Sequence, residues 1–363
     1  MQRRKKVRRV KILIFVFCFL FVLVGGYEVF SQADAKQLKV VLVTDVNGLG
    51  DKSKNDFTWD GVIKAYRELK VKVGVLQPAK EDEYEKTLKK AAGDADVVVL
   101  VGPQMQNSLL RVAPRYSKTK FVFIEGKVNQ PNVVCYSFKV EEGAFLAGLL
   151  AARMSETGKV GFIGGVSDQQ TQAFEFGYRA GIITYQKNVQ KELEVVSSYT
   201  GSVEDRDKGK KVALQQIKQG VDIIFGAAGD GCNDGLIEAV MEQPADKKYY
   251  AIVLNPHKEW EAMQPIGEHW AIGRVLTSVV RRYDMAAFYG IKSVIEDKFT
   301  PGMHILGVSE RGIDLSEMQY TIEYVPTDIL EFLSKIKKEI IAGHIEVPKN
   351  KEEYKKFKPV TLK

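Results

Sequence analysis

The chemistry-bearing residues of this 363-residue chain gather in short polar strings that follow apolar, β-branched runs. The first string is Asp45-Val46-Asn47-Gly48-Leu49-Gly50-Asp51-Lys52-Ser53-Lys54-Asn55. Its glycines permit tight turns with positive φ, and its Asp, Asn and Ser side chains can accept hydrogen bonds from a solute or cap the next helix. The glycine spacing fits neither a dinucleotide fingerprint nor a P-loop, so no phosphate cradle is indicated. A second string, Glu125-Gly126, puts a carboxylate at the end of an apolar run. A third, Ala227-Ala228-Gly229-Asp230-Gly231-Cys232-Asn233-Asp234-Gly235, is small enough for a ligand to lie against backbone, and equally reads as a glycine-rich connection. Asn255-Pro256-His257 and Arg281-Arg282 complete the set; an arginine just past a strand can pair with a carboxylate or with ligand oxygens, or stay solvated.

These strings suit binding better than catalysis. The four histidines, His257, His269, His304 and His344, lack metal-ligand spacing. There is no G-x-S-x-G elbow, and no cysteine has a histidine partner in sequence. No catalytic residue, metal or cofactor is expected. The enzymatic alternative uses Asp45 and Glu125 as an acid–base pair, which requires the two groups to be close together and at least one to have a shifted pKa.

The elements that must position these strings alternate. Strands are predicted over Lys39–Val46, Lys72–Leu76, Asp96–Gly102, Lys120–Glu125, Val133–Phe138, Lys159–Gly164, Glu192–Tyr199, Asp222–Phe225, Tyr249–Asn255, Val275–Val280, His304–Val308 and Tyr320–Tyr324. Helices are predicted over Trp59–Leu69, Asp82–Ala92, Glu141–Met154, Gln172–Asn188, Lys208–Gln219, Gly235–Gln243 and Arg281–Asp297. Several strands are apolar throughout, as strands buried on both faces are. A repeated βα pattern predicts parallel, helix-covered sheets, and so many strands suit two doubly wound lobes better than one sheet. Ligands of such sheets bind beyond the carboxyl ends of the strands, where the polar strings lie.

The composition, 45% hydrophobic and 27% charged, is that of a folded globular protein. The formal net charge of +7 is concentrated at the start: Met1–Ala35 holds seven basic and two acidic residues of the chain's 53 and 46. The rest of the chain is close to neutral, so no nucleic-acid partner is expected. Arg3–Lys11, the apolar Ile12–Val24 and the small-x-small triplets Ser31-Gln32-Ala33 and Ala33-Asp34-Ala35 have the layout of a secretory signal peptide. Val10 and Gly25–Phe30 extend the apolar run toward the roughly 20 residues of a membrane span, so an uncleaved anchor stays open. Either way the bulk of the chain is exported, secreted or held at the outer face of the membrane. Cys18, behind Phe17, is poorly placed for lipid attachment. Cys135 and Cys232 read as two buried thiols, with a single disulfide as the alternative. The charged tail Asn350–Lys363 is expected to fray.

The string Asp45–Gly61, DVNGLGDKSKNDFTWDG, resembles the opening signature of the basic membrane protein family of ABC-transporter substrate-binding proteins, whose best-understood members are purine-nucleoside receptors. The resemblance continues through Phe121–Glu125, Phe138–Gly143, Gly158–Gly165, Phe174–Gly181, Tyr199–Ser202, Asp222–Gly229, Val275–Asp284 and Ile340–Pro348. It implies an α/β type I periplasmic-binding-protein fold, two lobes joined by crossover strands with the ligand in the cleft between them. Lobe 1 is expected over 38–137 plus 275–311, lobe 2 over 138–274 plus 312–345, and a charged tail over 346–363. The implied partners are a small molecule, a nucleoside above all, an ABC permease, and the membrane through the N-terminus; a monomer is expected. The expected ligand-binding residues are Asp45, Asn47, Asp51, Lys54, Asn55, Glu125, Gly126, Asp230, Asn255 and Arg281. Four of them depart from the family's nucleoside pattern. Lys54 stands where the family has a base-stacking aromatic, with only Phe57 or Trp59 near enough to substitute. Glu125 and Asn255 replace aspartates, and Arg281 replaces the lysine of a TS-x-x-K block. Four changes in one pocket point to retuned specificity or a lost pocket. The alternative to an importer's receptor is a membrane-tethered sensor or regulator of the same fold.

Overall fold

Val97–Val101 (VVVLV) has no polar face, and in the structure it is a strand buried on both sides. The computed structural model describes residues 37–255, 258–261, 265–266, 269–270 and 273–361; the leader read over 1–35, and the 256–257 part of the Asn255-Pro256-His257 string, lie outside them. The first lobe opens with β1 (Lys39–Val43), α1 (Lys54–Leu69), β2 (Lys72–Leu76), α2 (Tyr84–Asp94), β3 (Val97–Val101), α3 (Gln106–Val112), β4 (Lys120–Ile124) and β5 (Val133–Phe138). The chain then crosses over. The second lobe contains α4 (Val140–Met154), β6 (Lys159–Gly164), α5 (Gln169–Val189), β7 (Glu194–Tyr199), α6 (Arg206–Lys218), β8 (Ile223–Ala227), α7 (Asp230–Met241), β9 (Tyr250–Val253) and α8 (Lys258–Glu261). A two-residue antiparallel pair comes next, β10 (Pro265–Ile266) with β11 (His269–Trp270), and then β12 (Val275–Arg281). The chain returns to the first lobe for α9 (Tyr283–Ile295) and β13 (Gly302–Leu306), and ends on the second with β14 (Ile313–Leu315), α10 (Thr327–Ile341) and α11 (Lys351–Lys356).

Two six-stranded sheets result, ordered β13-β5-β4-β3-β1-β2 and β14-β12-β9-β8-β6-β7. Every pairing in the first is parallel, and in the second only β12–β14 is antiparallel. This is the two-lobed α/β architecture that the alternating pattern predicts. The three crossovers lie side by side: Lys139 N–H donates to Leu306 O (3.0 Å), and Arg282 N–H to Gly312 O (2.8 Å). Gly312 is required there, because a Cβ would lie 2.2 Å from Leu306 Cβ.

Several elements differ from the sequence reading. Val275–Arg281 pairs with β9 and β14, so it belongs to the second sheet, and the crossing to the first lobe falls at Arg281–Tyr283 rather than before Val275. Tyr320–Tyr324 is not a strand. Thr321 turns the chain, its hydroxyl donating to Leu276 O (2.6 Å), and Ile322–Tyr324 is a 3₁₀ turn. Helix α10 has no counterpart in the reading, although Ile329, Leu333, Ile336 and Ile340 form its buried stripe. Up to Thr361 the tail is charged but not frayed: Tyr354 packs on Phe176, Phe357 on Phe145, and Asn188 Nδ2 donates to Val360 O (2.8 Å). Its lysines and glutamates face water while two aromatics anchor it. Cys135 and Cys232 are buried free thiols in different lobes.

Candidate functional site

Parallel strands deliver their carboxyl ends to one edge, and the two sheets present those edges to each other across a cavity of about 540 Å³. The first lobe contributes Asn47, Asp51 and Ser53 from the β1–α1 connection, Lys54 and Phe57 from the start of α1, and Glu125 beyond β4. The second contributes Glu204 beyond β7, Gly229 and Asp230 beyond β8, Leu254 and Asn255 beyond β9, and Val280 and Arg281 at the end of β12; Tyr283 lies on the crossover.

The first-lobe wall is a lattice. Asp51 accepts the N–H groups of Ser53 (2.9 Å), Asn55 (3.1 Å) and Asp56 (3.2 Å), satisfying donors that the start of α1 leaves open. Asn55, wholly buried, donates through Nδ2 to Asp45 Oδ1 (2.7 Å) and Asp51 Oδ2 (2.9 Å), while its Oδ1 accepts from Asp45 N–H (3.1 Å). Asp45, 2% exposed, pairs with Lys54 Nζ at 2.7 Å. Burial pushes its pKa up, but the bonds from Lys54 and Asn55 and the lysine charge outweigh burial and hold it below the usual carboxylate range.

The floor is a second ion pair. Glu125 sits at φ 61°, a left-handed conformation uncommon outside glycine. Arg281 reaches it at 2.6 Å and lies 5.3 Å over the Tyr283 ring. Burial would lower the arginine's pKa; the Glu125 charge reverses that and raises it. Burial above all carries the Tyr283 hydroxyl well above its usual range. Glu125 and Arg281 come from different sheets, as do Lys52 and Asn255, whose Nδ2 donates to Lys52 O at 3.1 Å. The second-lobe wall is barer. Asp230 and Glu204 donate or accept no side-chain hydrogen bond among the described residues, and the Asp230 carboxyl is raised by desolvation in the cleft and by the charges of Asp234 and Asp51, against Lys258 and Arg281.

Of the ten residues read from sequence, Asn47, Asp51, Lys54, Glu125, Asp230, Asn255 and Arg281 line the cavity. Asp45 and Asn55 lie behind the wall as supports. Gly126 does not line it; a Cβ there would strike the Phe123 ring, so packing explains the glycine. Phe57 reaches the lining, whereas Trp59 packs against the core. Ser53, Phe57 and Gly229 lie within or beside the polar strings, and Glu204 follows β7 as the strand-end rule would have indicated. Tyr283 has no signal apart from its crossover. Asp45 and Glu125 each hold a different cation, which separates them as an acid–base pair. Among the described residues no group of His, Cys, Asp or Glu could hold a metal ion.

A family model described as "ABC transporter substrate-binding protein PnrA-like" matches residues 38–351. A Lactococcus lactis protein named as an ABC transporter nucleoside-binding protein is 27% identical, over 86% of this chain and 89% of its own. An uncharacterized lipoprotein of Pyrococcus abyssi is 30% identical over 80% and 71% respectively. The crystal structure of an ABC transporter solute-binding protein from Aeropyrum pernix superposes with a TM-score of 0.67 at 28% identity, covering 88% of this chain and 96% of that one.

Proposed function

The chain belongs to the PnrA-like, or basic membrane protein, family of ABC transporter substrate-binding proteins, a family of receptors and not of enzymes, and from that premise we propose that its cleft captures a nucleoside-like solute, a purine nucleoside, for the permease of an importer. The observation that carries the reading is the convergence of seven residues, from strand ends on two sheets, on one cavity of about 540 Å³. The name of the Lactococcus lactis relative supports the nucleoside class. Phe57 offers a ring to a base, and a stacked base is worth about 1–3 kcal/mol. Asn47, Ser53 and Asn255 offer donors and acceptors to hydroxyls.

Capture is physical. A solute enters between the lobes, rotation about the three crossovers removes it from water, and the closed form is what a permease recognises. Specificity arises because an analogue lacking a hydroxyl leaves a desolvated cleft group unpaired. The basic-apolar leader, and the lipoprotein name of the Pyrococcus relative, support a receptor held at the outer face of the membrane. The test is a thermal-shift screen of the full chain against nucleosides, nucleobases, sugars and amino acids, since a ligand that binds only the native state raises the melting temperature. A selective shift with inosine, guanosine or adenosine supports the reading, and a shift confined to another class sinks it.

A further inference from the structure

We propose that the cleft selects its solute by charge, preferring a molecule that bears an amine, accepting a neutral one, and rejecting one that bears a phosphate or carboxylate. The inference rests on the cleft being the solute site and adds the charge class of the solute. Both cations in the lining are already committed within the chain: Lys54 to Asp45 at 2.7 Å, Arg281 to Glu125 at 2.6 Å. Both carboxylate partners are largely buried, with side-chain exposures of 2% and 17%. An incoming anion that took either cation would leave a desolvated carboxylate behind, and that penalty offsets the attraction it gains.

The remaining charge in the lining is negative. Asp51, Glu204 and Asp230 have no ion-pair partner among the described residues. Asp51 spends its oxygens on the start of α1. Asp230 and Glu204 line the cavity and make no side-chain hydrogen bond among the described residues. Lys258, the cation that most eases Asp230, is itself paired with Asp234 at 2.7 Å. Asp51 acts on Asp230 from the opposite lobe, so like charge faces the cavity from both walls. An ammonium in the cavity is attracted by Asp230 and Glu204 on one wall and by Asp51 on the other, and the Phe57 ring adds a face that a cation favours.

The test is calorimetric titration of the full chain with 5′-amino-5′-deoxyadenosine, adenosine and adenosine monophosphate, one scaffold in cationic, neutral and anionic form, beside putrescine, which carries amines and no base. Affinity should fall about tenfold or more at each step from amine to neutral to phosphate, the size of one charge-assisted hydrogen bond. Glu125→Gln, which releases Arg281, should narrow the gap between adenosine and its monophosphate. Asp230→Asn should erase the advantage of the amine, with Glu204→Gln as the second variant and melting curves to verify folding. A monophosphate that binds as tightly as adenosine, or an amine no better than the neutral compound, overturns the inference. Adenosine binding without gain from the amine leaves the nucleoside reading standing and sinks the charge class. Putrescine binding with the three adenosine compounds silent does the reverse, and silence from all four overturns both.

Discussion

The two walls of the cleft are built on opposite principles. The first-lobe wall is a closed lattice in which Asp45, Asp51, Lys54 and Asn55 satisfy one another and the start of α1. The second-lobe wall presents Glu204 and Asp230, exposed and without such bonds, beside the bare backbone of Gly229. A satisfied buried network is rigid and costly to break, whereas free side chains can turn to meet a solute. One wall therefore supplies shape and the other supplies adaptable charge. Substitutions should separate the two, with stability answering on the first wall and binding on the second.

The largest effect on stability is expected at Asn55. Asn55→Ala takes the side-chain amide from the buried Asp45, from its carboxylate and from its backbone N–H, at about 1–3 kcal/mol for each unsatisfied group, so the melting temperature should fall by several degrees. An unchanged melting curve would show that the lattice does not bear on folding. Next comes the floor: Arg281→Met leaves Glu125 without its cation and should cost about 2 kcal/mol in denaturant titrations. A loss below experimental error would mean that water replaces the arginine there. Asn255→Ala spans both walls, and should weaken solute binding roughly tenfold while moving the apo melting temperature little; equal affinity by calorimetry would remove it from the site.

The walls should also differ in sign with pH. The Asp45 pKa is lowered on folding, so its contribution is complete above the unfolded value and lost as acid approaches the folded one. The Asp230 pKa is raised, so its charge opposes folding at neutral pH and that cost disappears as pH falls through the raised value. Asp45→Asn should therefore flatten the acid limb of the stability profile. Asp230→Asn should give the smallest effect of the series, a slight rise in melting temperature at pH 7 that vanishes in acid. A fall at pH 7 would place Asp230 in a stabilising contact instead.

Much of this site is legible in the order of the residues. Strand-end position alone brings Asn47, Asp51, Lys54, Glu125, Asp230, Asn255 and Arg281 to the cavity, because parallel strands must end at a common edge. The same rule cannot tell Asp45 and Asn55, which support the wall, from residues that form it, since both kinds are polar and adjacent in sequence. Glu204 was open to the same rule, since it follows the Glu192–Tyr199 run, whereas Tyr283 lies on a crossover that only the fold defines. The tail misleads through its charge: its lysines and glutamates outnumber Tyr354 and Phe357, yet two aromatics suffice to dock a short helix.

By itself the sequence determined the alternation of strand and helix, the two-lobed class and the places where a ligand could sit, because hydrophobic period and turn chemistry are local. Only the tertiary structure decided which charges meet. Arg281 and Glu125 are 156 residues apart, and neither periodicity nor spacing carries partner choice over that distance. It emerges when the crossovers set two strand ends side by side, and it commits Arg281 to a carboxylate of the chain itself.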